Sequence, residues 1–199
     1  MIRLLRHSAL ILLFSVLASC AAVAPEPNEP VAPPVMRWDQ QPGSQVWTEA
    51  ALRTLREGHG TPLVQMTPKD IAAICHAYAS NGTDERAAFW VGLLSALSKH
   101  ESTYNPRAVG GGGLYYGLLQ ILPSTARAYN CQAKTGEALR DGANNLSCAI
   151  RILARTVPRD GVVGASGRGG LAADWGPMTR SEKRADILRW VGQQSYCQL

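Results

Sequence analysis

The chain predicts a mainly α-helical domain, and three observations carry that reading. Apolar residues recur at helical rather than alternating spacing, most clearly in the series Trp90, Leu94 and Leu97 that leads to Glu101. Prolines, capping residues and glycines fall at the ends of such stretches, where helices open and close. No strand pattern of any length and no internal repeat interrupts them.

At 199 residues, 46% hydrophobic and 18% charged, the chain has room for one modest globular domain with extensions. Arg3 and Arg6 precede the apolar run Ser8 to Ala18, which Leu17-Ala18-Ser19-Cys20 closes. A charged start, an apolar middle and small residues describe a secretory signal, and the run is too short to stay as a spanning helix. The closing tetrapeptide resembles the lipobox of bacterial lipoproteins. That resemblance implies cleavage before Cys20, lipidation of its thiol and, with Ala21 following, sorting to the outer membrane of a Gram-negative cell.

Residues 1–19 are therefore expected to be a lipoprotein signal peptide, and residues 20–45 a lipidated cysteine with a Pro-rich tether. Pro25, Pro27, Pro30, Pro33 and Pro34 favour extended polyproline II, with a reach of roughly 40 Å at about 3.1 Å per residue. The domain would then fill residues 46–199.

Within it, Thr48 is placed to cap a short helix ending before Gly58. Thr67-Pro68-Lys69-Asp70 reads as a cap, a first-turn proline and an acid three residues after the cap, followed by Ile71, Ile74 and Tyr78 in helical register. After a turn at Asn81-Gly82, Thr83 or Asp84 starts the long helix to Glu101. Pro106 and Gly110 to Gly113 break regular structure, Pro123 opens another helix, and a later one runs from near Asn144 to Pro158. Gly161 to Gly170 reads as a flexible loop, and Ser181 starts a last helix through Ile187 and Val191.

Past Cys20 four cysteines remain, an even number in an exported chain, so two disulfides are expected. Of three possible connectivities, Cys131 with Cys148 bracket one loop, leaving Cys75 with Cys197 to pin the C-terminus. A loop of the first size stabilises by roughly 3 kcal/mol in the chain-entropy model. There is no Cys-x-x-Cys and no paired histidine spacing, so neither zinc nor another cofactor is expected. The net charge of +5 falls to +3 when Arg3 and Arg6 leave with the signal. That weakly basic balance suits an anionic polymer, while the lack of an arginine or lysine block argues against nucleic acid.

Glu101 lies on the apolar stripe of its helix, at the C-terminal end. Burial and the helix dipole both disfavour its anion and raise its pKa, the profile of a general acid. Its neighbour His100 points elsewhere, since adjacent helical residues do not share a face, and is read as structural.

Glu101-Ser102, then Tyr104-Asn105-Pro106, then Gly117-Leu118-Leu119-Gln120-Ile121 with Pro123, Thr125 and Ala126, resemble the signature of lytic transglycosylases with an SLT domain. That fold is lysozyme-like, related to goose-type lysozyme, and Asn145-Leu146 with Ile150 and Leu153 resembles the family's later helix. The resemblance spans about Ile71 to Val191. It implies Glu101 as catalytic acid/base, Ser102 as its support in the substrate site, and Gly117 and Gln120 in a sugar-binding cleft for peptidoglycan glycan strands. Tyr104, Tyr115, Tyr116 and Trp175 are candidates to stack on sugar rings, although aromatics in small domains more often belong to the core.

The implied reaction cleaves the β-1,4 bond between N-acetylmuramic acid and N-acetylglucosamine, with the muramyl 6-hydroxyl as internal nucleophile. From Ser102 to Gly136 there is no Asp or Glu, which suits a mechanism needing one carboxyl group rather than two. Asp174 stands as a distant second acid or as a loop residue. Two departures from the family stand out. Ala173-Asp174-Trp175-Gly176 replaces its usual Ala-Tyr-Asn, and Trp190 stands where a tyrosine near the glutamate is expected, leaving Trp190 or Tyr196 to supply the donor. A hydrolytic muramidase on the same fold and a weakly active peptidoglycan-binding lipoprotein are the rival readings.

Overall fold

A computed structural model describes residues 32–198. The signal peptide, Cys20 and most of the tether lie outside the described residues.

The spine of the fold is the 19-residue helix α3, Thr83–Glu101, in which every residue from Ala87 to Ser98 is buried. A helix apolar on all sides belongs inside a domain, so the stripe Trp90, Leu94 and Leu97 is one side of a fully enclosed cylinder. Helix α1 (Ser44–Glu57) packs on α3 and on α5 (Gly142–Asp160), the short α2 (Thr61–Gln65) fits among the three, and α8 (Ser181–Gly192) covers another side of α3. Between the long helices lie α4 (Pro123–Ala128), α6 (Leu171–Asp174) and α7 (Gly176–Thr179). One small hairpin stands against the expectation of no strands: β1 (Val109–Gly110) pairs antiparallel with β2 (Tyr115–Tyr116). Two residues per strand are too few to leave a period-2 pattern.

Aromatic side chains lock α3 to its surroundings. Trp90 Nε1 donates to the Tyr78 hydroxyl at 2.9 Å, and that hydroxyl donates to the Leu63 carbonyl at 3.0 Å. Phe89 stands edge-on to both Tyr78 and Trp90, with centroids 5.1 and 5.2 Å apart. The two disulfides join Cys75 to Cys197 and Cys131 to Cys148, the pairing favoured from the sequence.

Five expectations are corrected. The domain begins before residue 46: Met36 and Trp38 are core residues, and α1 starts at Ser44. Thr48 lies inside α1 and caps nothing; its hydroxyl accepts from Trp38 Nε1 at 2.9 Å, so one polar contact roots the end of the tether in the core. Asp70 does not open a long helix either, since only a 3-10 turn forms at Ile71–Ala73. Its carboxylate instead accepts the N–H groups of Val163, Gly164 and Ala165 at 2.6, 2.9 and 2.8 Å. Those three bonds, with Asp160 accepting from Gly170 at 2.8 Å, fasten the loop Gly161 to Gly170 that composition alone reads as flexible. Finally, α5 starts at Gly142, where Asp141 accepts the Asn144 N–H at 2.8 Å, and runs past Pro158 to a left-handed Gly161.

Candidate active site

Glu101 is the last residue of α3. Ser102 caps the helix, its N–H and Oγ both donating back to the Ser98 carbonyl at 3.0 and 3.3 Å. Thr103 and Tyr104 then adopt left-handed φ values of 53° and 63°, which turn the chain away and leave the helix end open. Such conformations cost about 1 kcal/mol or more in non-glycine residues.

The Glu101 carboxyl is half-buried and has no hydrogen-bond or ion-pair partner among the described residues. Loss of solvent pushes its pKa up to about 7, against the opposing pull of the Lys183 ammonium. It lines a cleft of about 560 Å³ together with Tyr115, Gln120, Asp174, Trp175, Arg180 and Lys183. A smaller hollow of about 180 Å³ shares Tyr115, Gln120, Asp174 and Trp175 and continues along Leu122, Thr125 and Ile152. An elongated ligand can thus lie across Glu101. Asp174 stands on the exposed rim, its carboxyl raised by the desolvating cleft wall.

His100 also borders the cleft, but its Nε2 lies 2.7 Å from Asp186. Arg37 reaches the same carboxylate with both Nη atoms at 2.8 and 2.9 Å, and Lys99 at 3.3 Å. These cations hold Asp186 well below its ordinary pKa. The structural reading of His100 agrees with this placement.

Gln120 is aimed by a polar node behind the cleft. Asn145 is fully buried; its Oδ1 accepts the Leu119 N–H at 2.9 Å, and its Nδ2 donates to the carbonyls of Tyr116 and Leu139, each at 2.9 Å. Gly117 fits against this node at φ 80°, where a β-carbon would collide with the Leu139 carbonyl and the Asn145 amide. Gln120, itself at φ 46°, donates to the Gly117 carbonyl at 2.9 Å.

The sequence-predicted residues therefore separate. Glu101, Gln120 and Trp175 share the cleft, with the Trp175 indole anchored by donation to the Leu119 carbonyl at 3.0 Å. Gly117 is a buried turn residue rather than part of the cleft surface. Ser102 caps α3 and is absent from the cleft lining. Tyr104 lines a separate hollow with Gln41, Pro42 and Trp47, because the left-handed turn carries it away. Tyr116 ties its hydroxyl to the Gly113 carbonyl at 2.6 Å and packs on Gly136.

Neither candidate replaces the missing tyrosine. Trp190 sits beneath the Arg37 guanidinium, 5.9 Å from ring centroid to Cζ, outside the cleft. Tyr196 packs on Gly92, about two and a half helical turns before Glu101, and donates to the Val35 carbonyl at 3.3 Å. Arg180 and Lys183 are the charged cleft residues that the sequence reading missed. The available signal was two cations beside the start of the last helix, where the macrodipole disfavours them. Among the described residues no cluster of His, Cys, Asp and Glu has the makings of a metal site.

The fold is lysozyme-like, and the family described as Transglycosylase SLT domain matches residues 79–163. The chain is also similar to solved structures of a protein titled DslA. Its wild-type form is 28% identical with a TM-score of 0.71 and covers 82% of this chain and 98% of its own. Two DslA variants, each with one glutamate changed to glutamine, align at 28% and 26% identity with TM-scores of 0.72, covering 82% and 83% of this chain and 98% and 99% of theirs. No curated protein matches the chain.

Proposed function

We propose that the chain is a peptidoglycan lytic transglycosylase that cleaves the MurNAc-β-1,4-GlcNAc bond and leaves a 1,6-anhydro-MurNAc end. The observation that carries this reading is the Glu101 carboxyl, unpartnered in an elongated cleft and protonated up to about pH 7. Glu101 gives its proton to the glycosidic oxygen as the bond to the muramyl anomeric carbon breaks. The carboxylate so formed takes the proton of the muramyl 6-hydroxyl as that oxygen closes on the same carbon. The acid is regenerated and no water is consumed. Gln120 and Trp175 flank the saccharide.

Asp174, in the same cleft with a raised pKa, favours a second reading, an inverting hydrolase in which it activates water. The proposed setting is the periplasmic face of the outer membrane, with a lipid on Cys20, supported by the sequence Leu17-Ala18-Ser19-Cys20-Ala21. Mass spectrometry of the products released from purified sacculi separates the readings. Anhydro-muropeptides from the wild type and none from Glu101→Gln are expected. Reducing-end products would make the protein a hydrolase, and none from either protein would leave a peptidoglycan-binding lipoprotein.

A further inference from the structure

Exposed Arg180 and the neighbouring Lys183 are cleft cations that the fold leaves without an ion-pair partner among the described residues. Lys183 is half-buried, yet no carboxylate lies at ion-pair distance from it or from Arg180 among the described residues. A cation in the first turn of a helix is unfavourable, and Lys183 lies there, where α8 presents the positive end of its dipole. The neighbouring Arg184 is accounted for, because it donates to the Met178 carbonyl at 2.9 Å. Arg180, the residue just before α8, and Lys183, in its first turn, both border the cleft.

The other charges facing the cleft do not cancel them. His100 is engaged by Asp186, Glu101 is neutral in its acid form, and Asp174 on the rim is the remaining carboxyl group. Two cations thus face one carboxylate, and a ligand bearing an anion completes the balance.

We infer that Arg180 and Lys183 are specificity residues that bind a carboxylate carried by the muramyl unit of the glycan lying beside Glu101. The inference rests on the reading of the cleft as a peptidoglycan site. Guanidinium and ammonium donors bind carboxylate through charge-assisted hydrogen bonds, the stronger class. A muramyl unit offers that group in two ways. Its lactyl carboxylate is free on a strand stripped of peptide, and where a peptide is attached, the peptide supplies carboxylates of its own. Either would also screen Lys183, the positive charge that lowers the Glu101 pKa, so an occupied cleft would hold the acid's proton more firmly.

The test is equilibrium binding at pH 6 and low salt, with the full chain carrying Glu101→Gln to prevent turnover. Three probes are compared: denuded glycan strands, the same strands with lactyl carboxyls converted to methylamides, and strands with intact peptides. The carboxylate-bearing strands should bind about tenfold or more tightly than the methylamide strands, the scale of one charged hydrogen bond. Lys183→Gln or Arg180→Gln should erase most of that difference while leaving methylamide binding in place, and Lys183→Arg should retain it. If only denuded strands gain, the ligand is the lactyl group; if only intact strands gain, it is a peptide carboxylate. Equal affinity for all three probes, or discrimination that survives both glutamine variants, overturns the inference. Because binding is read without cleavage, discrimination in a protein that makes no anhydro product would sink the transglycosylase while keeping the carboxylate site. Anhydro products without discrimination would do the reverse.

Discussion

Glu101 and Asp186 are two carboxyl groups at one corner of the molecule, brought there by consecutive residues of α3 and one turn of α8. Asp186 touches His100 and is gripped by Arg37 and Lys99 as well, whereas Glu101, the next residue, touches no donor among the described residues. The same fold holds Asp186 well below the usual carboxylate range and pushes Glu101 up to about 7. Partnership separates a carboxylate that holds the structure together from one left free to exchange a proton.

Exchanging those roles by mutation gives the sharpest contrasts. Glu101→Gln should remove glycan cleavage by a factor of about 10³ or more, given what a positioned general acid contributes, with the fold intact by circular dichroism. Asp186→Asn should leave cleavage measurable. In the wild type, cleavage should decline as pH rises through about 7, where Glu101 loses the proton it must donate, and a pH–rate profile on sacculi reads this directly.

A fully satisfied polar group should behave like Asp186 and more strongly. Asn145→Leu strands three buried backbone groups and should cost about 3–5 kcal/mol in denaturant unfolding. For Asp186→Asn, partial exposure limits the loss to about 1–2 kcal/mol at pH 7. That loss should shrink in acid, because a depressed carboxylate stabilises above its ordinary pKa of 3.8 and loses the effect as pH falls through its folded value.

The smallest effect has the opposite sign. A raised carboxyl stabilises below its ordinary 4.5 and loses that contribution as pH rises through about 7. Glu101→Gln should therefore melt higher than the wild type at pH 8, by about 1 kcal/mol for a half-buried group, and match it at pH 4.

How much of this could be read from the chain depended on distance along it. The apolar stripe of α3, the acid at its end, the polar Gln120 among apolar neighbours and the Cys131–Cys148 loop were all written in local spacing, and the long-range Cys75–Cys197 bridge followed by elimination. Asp70 misled because its acceptors' partners lie more than ninety residues away, and a cap and a distant anchor have the same local sequence. Met36 and Trp38 were masked by the prolines before them. Gly117 carried the right motif for the wrong reason, since its lack of a side chain serves the Asn145 node behind the cleft rather than a sugar in front of it. Arg180 and Lys183 join Glu101 in the cleft only through tertiary packing of α7 and α8 against α3.

The proton affinity of Glu101 is where the account is most exposed. A ¹³C NMR titration of its side-chain carboxyl in the intact protein, assigned by comparison with Glu101→Gln, should give a midpoint near 7. A midpoint near 4.5 would mean that the group is solvated or paired, and Glu101 would not be the acid proposed.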